Sequence, residues 1–284
     1  MLLLSLRISQ GMALFTQRQR EELYRNGFVV LRDVIDPDVI TAARESFWDG
    51  FPIDRDDYSA LLEAPERYEN AWEYITDPAP FQEINEQLFP YAEELAGEGT
   101  LTEPGDSIQV TPRFPNGEQR EADRKPPLHR GRGHIDGYGP AFDSTYEVGH
   151  YTVMTTVNLD RVEPRGGGFT VWPGSHWWAA EYYDEYHLES LVNNASLPAY
   201  RDGGWQRGEY LAEQIDPLEI HGDPGTTVFW HQNLLHAGGI NNSRWTRLAA
   251  IQRFSRPDAH EIKRDAFANP WKYWEGIDDV SLPE

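Results

Sequence analysis

At 284 residues the chain is long enough for one large domain with a substantial core and does not require two. A formal net charge of −22, from 47 acidic and 25 basic residues, disfavours nucleic acid or an anionic membrane as a partner, because counterion-driven attraction needs a basic surface. With no cysteine there is neither a disulfide framework nor a thiolate metal site, so any metal has to be held by His, Asp or Glu. The 24 Gly, 20 Pro and 10 Trp favour turns and short strands over a helical bundle, and so an all-β or α+β enzyme.

The opening "MLLLSLRISQGMA" has an apolar run too brief for a spanning helix and marginal for a signal peptide. Residues 1–13 are therefore expected to be a disordered or mis-annotated extension, with a start at Met12, on a cytoplasmic enzyme whose single domain covers 14–284. "TQRQREELYR" predicts a helix capped by Thr16, and "NGFVVLRDVI" a turn into a strand. A second helix is expected from Pro37 to Trp48, with Asp36 ahead of a proline in its first turn. A third spans 80–96, where Phe81, Ile84, Leu88 and Tyr91 keep helical spacing and Pro90 predicts a kink.

After residue 105 the texture changes. "SIQVTPRF", "HYTVMTTVNLD", "GGFTVWPGSH", "GTTVFWHQNLLH" and "TRLAAIQRF" are β-rich runs bounded by Pro, Gly and Asn, the spacing of a sandwich or jelly roll. Between Trp178 and Glu219 a polar, aromatic stretch shows no clear period, and its length suggests an ordered excursion or a lid.

The chemistry centres on "GHIDGYG". Strand side chains alternate, so His134 and Asp136 present an imidazole and a carboxylate on one face. Alone, the pair is more often polar surface sequence than a metal site. A third ligand is offered by His236, which ends a strand before a Gly-Gly turn. Two His and one carboxylate leave open positions, an arrangement that suits non-heme Fe(II) and oxygen chemistry. Arg247 heads the apolar run "LAAIQRF"; a cation leading into a buried strand needs an anionic partner, and a co-substrate carboxylate would supply one in bidentate geometry.

His134-x-Asp136, "VNLDRVEPRGGGFTVWPGSH", "GDPGTTVFWHQNLLHAGGINNS" and Arg247, with "FTQRQREELYRNGFVVLRDVIDPDVI" ahead of them, resemble the phytanoyl-CoA dioxygenase (PhyH) family of Fe(II)/2-oxoglutarate-dependent oxygenases over residues 14–255. The resemblance implies an α+β, mainly β chain built on a cupin-like double-stranded β-helix, or jelly roll, with supporting N-terminal helices. It implies iron held by His134, Asp136 and His236, the far carboxylate of 2-oxoglutarate held by Arg247, and O2 at a remaining metal position. Hydroxylation of an unactivated carbon of a small organic substrate, with release of succinate and CO2, is the implied activity.

Two departures stand out. Family members often carry Ser or Thr two residues after the distal His, where this chain has Gly238; Thr155, Thr227 or Ser243 is expected to supply that hydroxyl. "PLHRGRGHID" also holds His129, and a His129-Arg130-Gly131 motif would lack the carboxylate, as in related halogenases. Gln109 is expected near the co-substrate, and Arg113, Asn158 and Trp172 near the substrate, against the plainer readings of an ion pair, a strand cap and core packing. His231 lies five residues before His236, so on a regular strand it faces away from the metal. His176 is read as structural. The second reading from a different class is a cupin-type lyase, isomerase or hydrolase, or a non-catalytic ligand-binding protein; Arg247 discriminates, because none of these needs a carboxylate clamp.

Overall fold

The computed structural model describes residues 13–64, 71–105, 109–117, 133, 135, 152–186 and 215–280. Among them the chain runs α1 (Gln17–Asn26), β1 (Phe28–Leu31), α2 (Pro37–Gly50), α3 (Tyr58–Glu63), a 3-10 turn (Ala71–Tyr74), α4 (Ala79–Ala96), β2 (Gln109–Arg113) and β3 (Val153–Asn158). It continues through β4 (Phe169–Val171), α5 (Ser175–Tyr186), β5 (Leu218–Ile220), β6 (Thr227–His231), β7 (His236–Gly238), β8 (Arg247–Phe254) and α6 (Ala259–Ala268). His134, Asp136 and His129 lie outside the described residues, as do residues 1–12 and 187–214 of the expected excursion.

The helix ends follow from the local sequence. In α1 the Thr16 hydroxyl accepts from the Gln19 amide while the Gln19 side chain accepts from the Thr16 amide, satisfying two orphan donors reciprocally. Gly27 ends the helix at φ +79°, and a β-carbon there would lie 2.5 Å from His176 Nδ1, so both backbone and space require glycine. In α2 the Asp36 carboxylate accepts from the Asp38 amide and Pro37 opens the first turn. Helix α4 buries Phe81, Ile84, Leu88 and Tyr91 as the spacing predicts, with Pro90 inside it.

The strands form two antiparallel sheets, β1-β6-β3-β8-β2 and β5-β4-β7. Their facing sides share one apolar cluster: Phe169, Val171 and Ile220 of the small sheet meet Phe28, Met154, Val228 and Trp230 of the large one. With α2 and α4 covering the outside of the large sheet, this is the mainly β jelly roll with supporting helices. On that outer face Val153, Val157, Phe229, Leu248 and Ala250 pack against Phe81, Ile84, Leu88 and Leu95 of α4. Phe229 lies 5.3 Å from the Phe15 ring and 5.8 Å from that of Tyr91. Full burial of each such side chain stabilises the fold by about 1.5–3 kcal/mol, so this layer holds the barrel's wall in place.

Alternation sends the other half of each strand inward. Residues paired across an antiparallel ladder share a face, so the inner rows can be read from the register. Trp230, Met154 and Arg253 form one row, Val228, Thr156, Ile251 and Gln109 the next, then Asn158, Ala249 and Thr111, and last Arg247 and Arg113. No described helix is long and apolar enough to cross a membrane.

Candidate active site

His236 opens β7, an edge of the small sheet, and pairs with Val171. Its imidazole is held between two aromatics of the interior, 4.4 Å from the Trp230 ring centre and 5.4 Å from that of Phe169. The Nδ1–H donates to the Leu234 carbonyl at 3.0 Å. That hydrogen bond selects the tautomer in which Nε2 carries the lone pair, the arrangement usual for a metal-binding histidine. The approach to β7 is fixed on both sides, because the Leu235 amide donates to Ser175 Oγ and the Leu235 carbonyl accepts from the Trp172 amide.

Gly133 and Ile135, which flank His134 in sequence, are both buried. A β-carbon on Gly133 would lie 2.6 Å from Trp172 Cζ3 and 2.9 Å from Leu235 Cγ. Glycine is therefore what allows this backbone to run directly over the residue that precedes His236.

At the other end of the barrel stands Arg247, buried at 2% exposure. Its Nη1 donates to Thr111 Oγ1 at 2.9 Å and to the Thr111 carbonyl at 3.3 Å, while Nε has no partner among the described residues. Burial first, and the neighbouring Arg113 charge second, push its pKa down to about 9, with Glu219 pulling the other way; it stays a cation at neutral pH. A buried guanidinium with an unfilled donor beside a second guanidinium is costly until an anion fills the place. Asn158, on the inner row next to this pair, is 3% exposed and its Nδ2 also lacks a partner among the described residues. Both donors point to a polar, oxygen-bearing ligand in this corner.

From His236 to Gly238 is one two-residue step along β7, roughly 6.7 Å. The histidine meets the Trp230 ring and the glycine meets the Arg113 guanidinium. The described residues hold no group of three or more His, Cys, Asp or Glu placed to bind a metal, and His236 is the member of the expected triad that lies among them.

The structure brings His236, Arg247, Arg113, Asn158 and Gln109 to the inner face, and it does not bring the three expected hydroxyls there. Thr155 pairs with Phe229 and Gln252, which puts it on the helix-covered face with Val153 and Val157. Thr227 shares that face, opposite Leu31 and Val157, and its hydroxyl donates to the Gly225 carbonyl. Ser243 closes a turn instead: its hydroxyl donates to Asn241 Oδ1 and accepts from the Trp245 amide. Trp172 follows β4, fully buried, with its ring against Gly133 rather than on the inner rows.

Thr111, Thr156 and Arg253 were not singled out by the sequence, although counting by twos from Arg113, Asn158 and Arg247 reaches all three. Thr111 anchors Arg247, and Thr156 Oγ1 accepts from Trp230 Nε1 at 3.1 Å, steadying the ring against which His236 rests. His231 and His176 are structural. His231 Nε2 donates to the Pro270 carbonyl and its Nδ1 accepts from the Asn233 amide; burial pushes its pKa down to about 4. His176, bonded through Nε2 to the Tyr24 carbonyl, is held well below the ordinary imidazole range by burial and by His231.

The jelly roll thus carries an inward histidine at one end of its interior and, at the other, a buried arginine with a donor unfilled among the described residues. Residues 114–249 match the family model of phytanoyl-CoA dioxygenase (PhyH). No curated protein matches the sequence. Among solved structures the chain is similar to the non-heme alpha ketoglutarate dependent epimerase SnoN from nogalamycin biosynthesis, at 19% identity over 84% of this chain and 80% of that one, TM-score 0.48. It is also similar to EctD from S. alaskensis, at 16% identity over 85% and 77%, TM-score 0.48. AviO1 from Streptomyces viridochromogenes Tue57 is a third, at 15% identity over 86% and 96%, TM-score 0.46.

Proposed function

We propose that the chain is an Fe(II)- and 2-oxoglutarate-dependent oxygenase that hydroxylates an unactivated carbon of a small organic substrate. His134, Asp136 and His236 would hold the iron and Arg247 the far carboxylate of the co-substrate. The observation that carries this reading is that His236, with its tautomer fixed and its ring on the inner aromatics, shares the interior with the unfilled Arg247 donor. The family match over residues 114–249 supports it, and so does the packing of Gly133 on Leu235, which favours His134–Asp136 over His129 as the ligand pair beside His236. Arg247 also favours this reading over a cupin-type lyase or isomerase, whose chemistry has no use for a buried carboxylate clamp.

Bound iron, with 2-oxoglutarate and O2, supplies the oxidising chemistry that turns the co-substrate into succinate and CO2 and a C–H bond of the substrate into C–OH. The chain's own residues do three things. His236 offers Nε2 in an orientation fixed by the Leu234 carbonyl. Trp230 and Phe169 shield that face of the imidazole from water. Arg247, steadied by Thr111, would hold the far carboxylate of the co-substrate and so orient it in the interior.

Adding Fe(II) and then 2-oxoglutarate to the protein without oxygen is expected to give a weak visible charge-transfer band. Admitting oxygen is then expected to yield succinate. Folded protein that gives no band overturns the reading.

A further inference from the structure

A cavity of about 470 Å³ opens between α2, the loop after that helix, the chain beyond β3 and the two residues just ahead of β8. No residue of the inner rows lines it, so it is separate from the barrel interior that holds His236 and Arg247. Its size is that of a small-molecule site.

Asp160 stands in the wall with part of its bonding capacity unused. Trp48 Nε1 donates to Oδ2 at 3.0 Å, whereas Oδ1 lies 3.9 Å from Arg44 Nε, beyond hydrogen-bond reach, and has no donor among the described residues. Burial raises this carboxyl above its ordinary range even though Trp48 and Arg44 pull the other way, so the charged form is short of donors. Glu45 sets two donors nearby: its Oε1 accepts from Arg44 Nη2 at 3.1 Å and from Arg55 Nη1 at 2.9 Å, which leaves both guanidiniums with N–H groups to spare. Trp245, 47% exposed, adds an indole wall, steadied by the Arg244 guanidinium 4.9 Å from its ring centre.

Ion pairing accounts for Glu45 but not for an open carboxylate oxygen and a half-exposed indole around one hollow. An anion fits poorly, because three guanidiniums, Arg44, Arg55 and Arg161, face three carboxylates, Asp56, Asp160 and Glu163, and the lining carries no net charge. An acceptor beside donors suits a hydroxyl, which gives a proton to one and a lone pair to the other. An indole suits the C–H face of a ring that carries such hydroxyls. We propose that this cavity binds an uncharged polyhydroxylated ligand, a sugar ring, with its hydroxyls on Asp160, Arg44 and Arg55 and its C–H face on Trp245. The proposal does not depend on the co-substrate reading given above.

The test is an NMR titration of the full chain with the methyl glycosides of glucose, galactose and mannose, and with sodium sulfate as the anionic probe. At least one glycoside is expected to bind with a Kd on the order of 1 mM, the scale for a ligand of about a dozen non-hydrogen atoms. Asp160→Asn, which keeps an oxygen for Trp48, and Trp245→Ala should each weaken that binding by about tenfold or more. Trp72→Ala removes an exposed indole that does not line the cavity and should leave the Kd unchanged. Should one of the two cavity variants fail to fold, the other decides. Folded protein that binds none of the glycosides, sulfate that displaces a bound glycoside, or an affinity that survives either cavity substitution overturns the proposal.

Discussion

The two faces of the large sheet are made by the same strands and do opposite work. On the outer face, Val153, Val157, Phe229, Leu248 and Ala250 meet the helices, and the histidine on that side, His231, is kept neutral with both ring nitrogens engaged. On the inner face the same strands present Thr156, Asn158, Arg247 and Arg253, and Arg247 has a donor left over. A closed apolar layer supplies the stability that lets the opposite face hold an imperfectly satisfied cation. Stability and binding are thus divided by strand parity, and substitutions on the two faces should separate the two properties.

The largest effect is expected from breaking the outer layer. Phe229→Ala leaves a cavity among Phe15, Tyr91 and their neighbours and should cost about 3–5 kcal/mol, read in urea unfolding, while the folded fraction keeps its KM for 2-oxoglutarate. On the inner face, Arg247→Met should do the reverse. The KM for 2-oxoglutarate is expected to rise by about thirtyfold or more, the cost of removing one partner of a buried charged pair, with the melting temperature unchanged or higher because a desolvated cation is gone. A matching loss of stability would place Arg247 among the structural residues.

The histidines sharpen the same contrast through pH. With a folded pKa of about 4 against an ordinary value of 6.5, His231 binds fewer protons in the folded state than in the unfolded state. Its contribution is complete above pH 6.5 and is lost as the pH falls toward 4. Between pH 6.5 and 5, before most carboxylates titrate, urea unfolding should show a loss of roughly 1.5 kcal/mol from His231, and a flat profile would contradict its burial as a neutral base. The smallest effect is expected from Thr155→Val. Its hydroxyl sits on the helix-covered face with no partner among the described residues, so the change should leave KM unchanged and stability equal or up to about 1 kcal/mol higher.

Much of the fold was legible because its local signals are strong. Thr16 and Asp36 mark helix starts by their side-chain chemistry, and the four apolar positions of α4 repeat at helical spacing. Strand phase was not legible, for a physical reason: β3 and β6 are buried along their whole length on both faces, so neither shows an alternation that tells inside from outside. Thr155 and Thr156 are equivalent in sequence, and only the pairing of Thr155 with Phe229 and of Thr156 with Val228 separates them. Helix α5 was missed because "SHWWAAEYYDEY" has no apolar stripe, and β5 because three residues make too short a run. Within the site, His236 and Arg247 could be picked out by residue type and position. The fit of Arg113 over Gly238 could not, because it joins two sheet edges more than a hundred residues apart.

The most direct test of the account is a crystal structure grown without oxygen in the presence of Fe(II) and 2-oxoglutarate. The account predicts one metal bound by His134, Asp136 and Nε2 of His236, with the far carboxylate of the co-substrate against Arg247. A metal bound through His129 in place of His134, or a carboxylate that leaves the Arg247 donor unfilled, would contradict it.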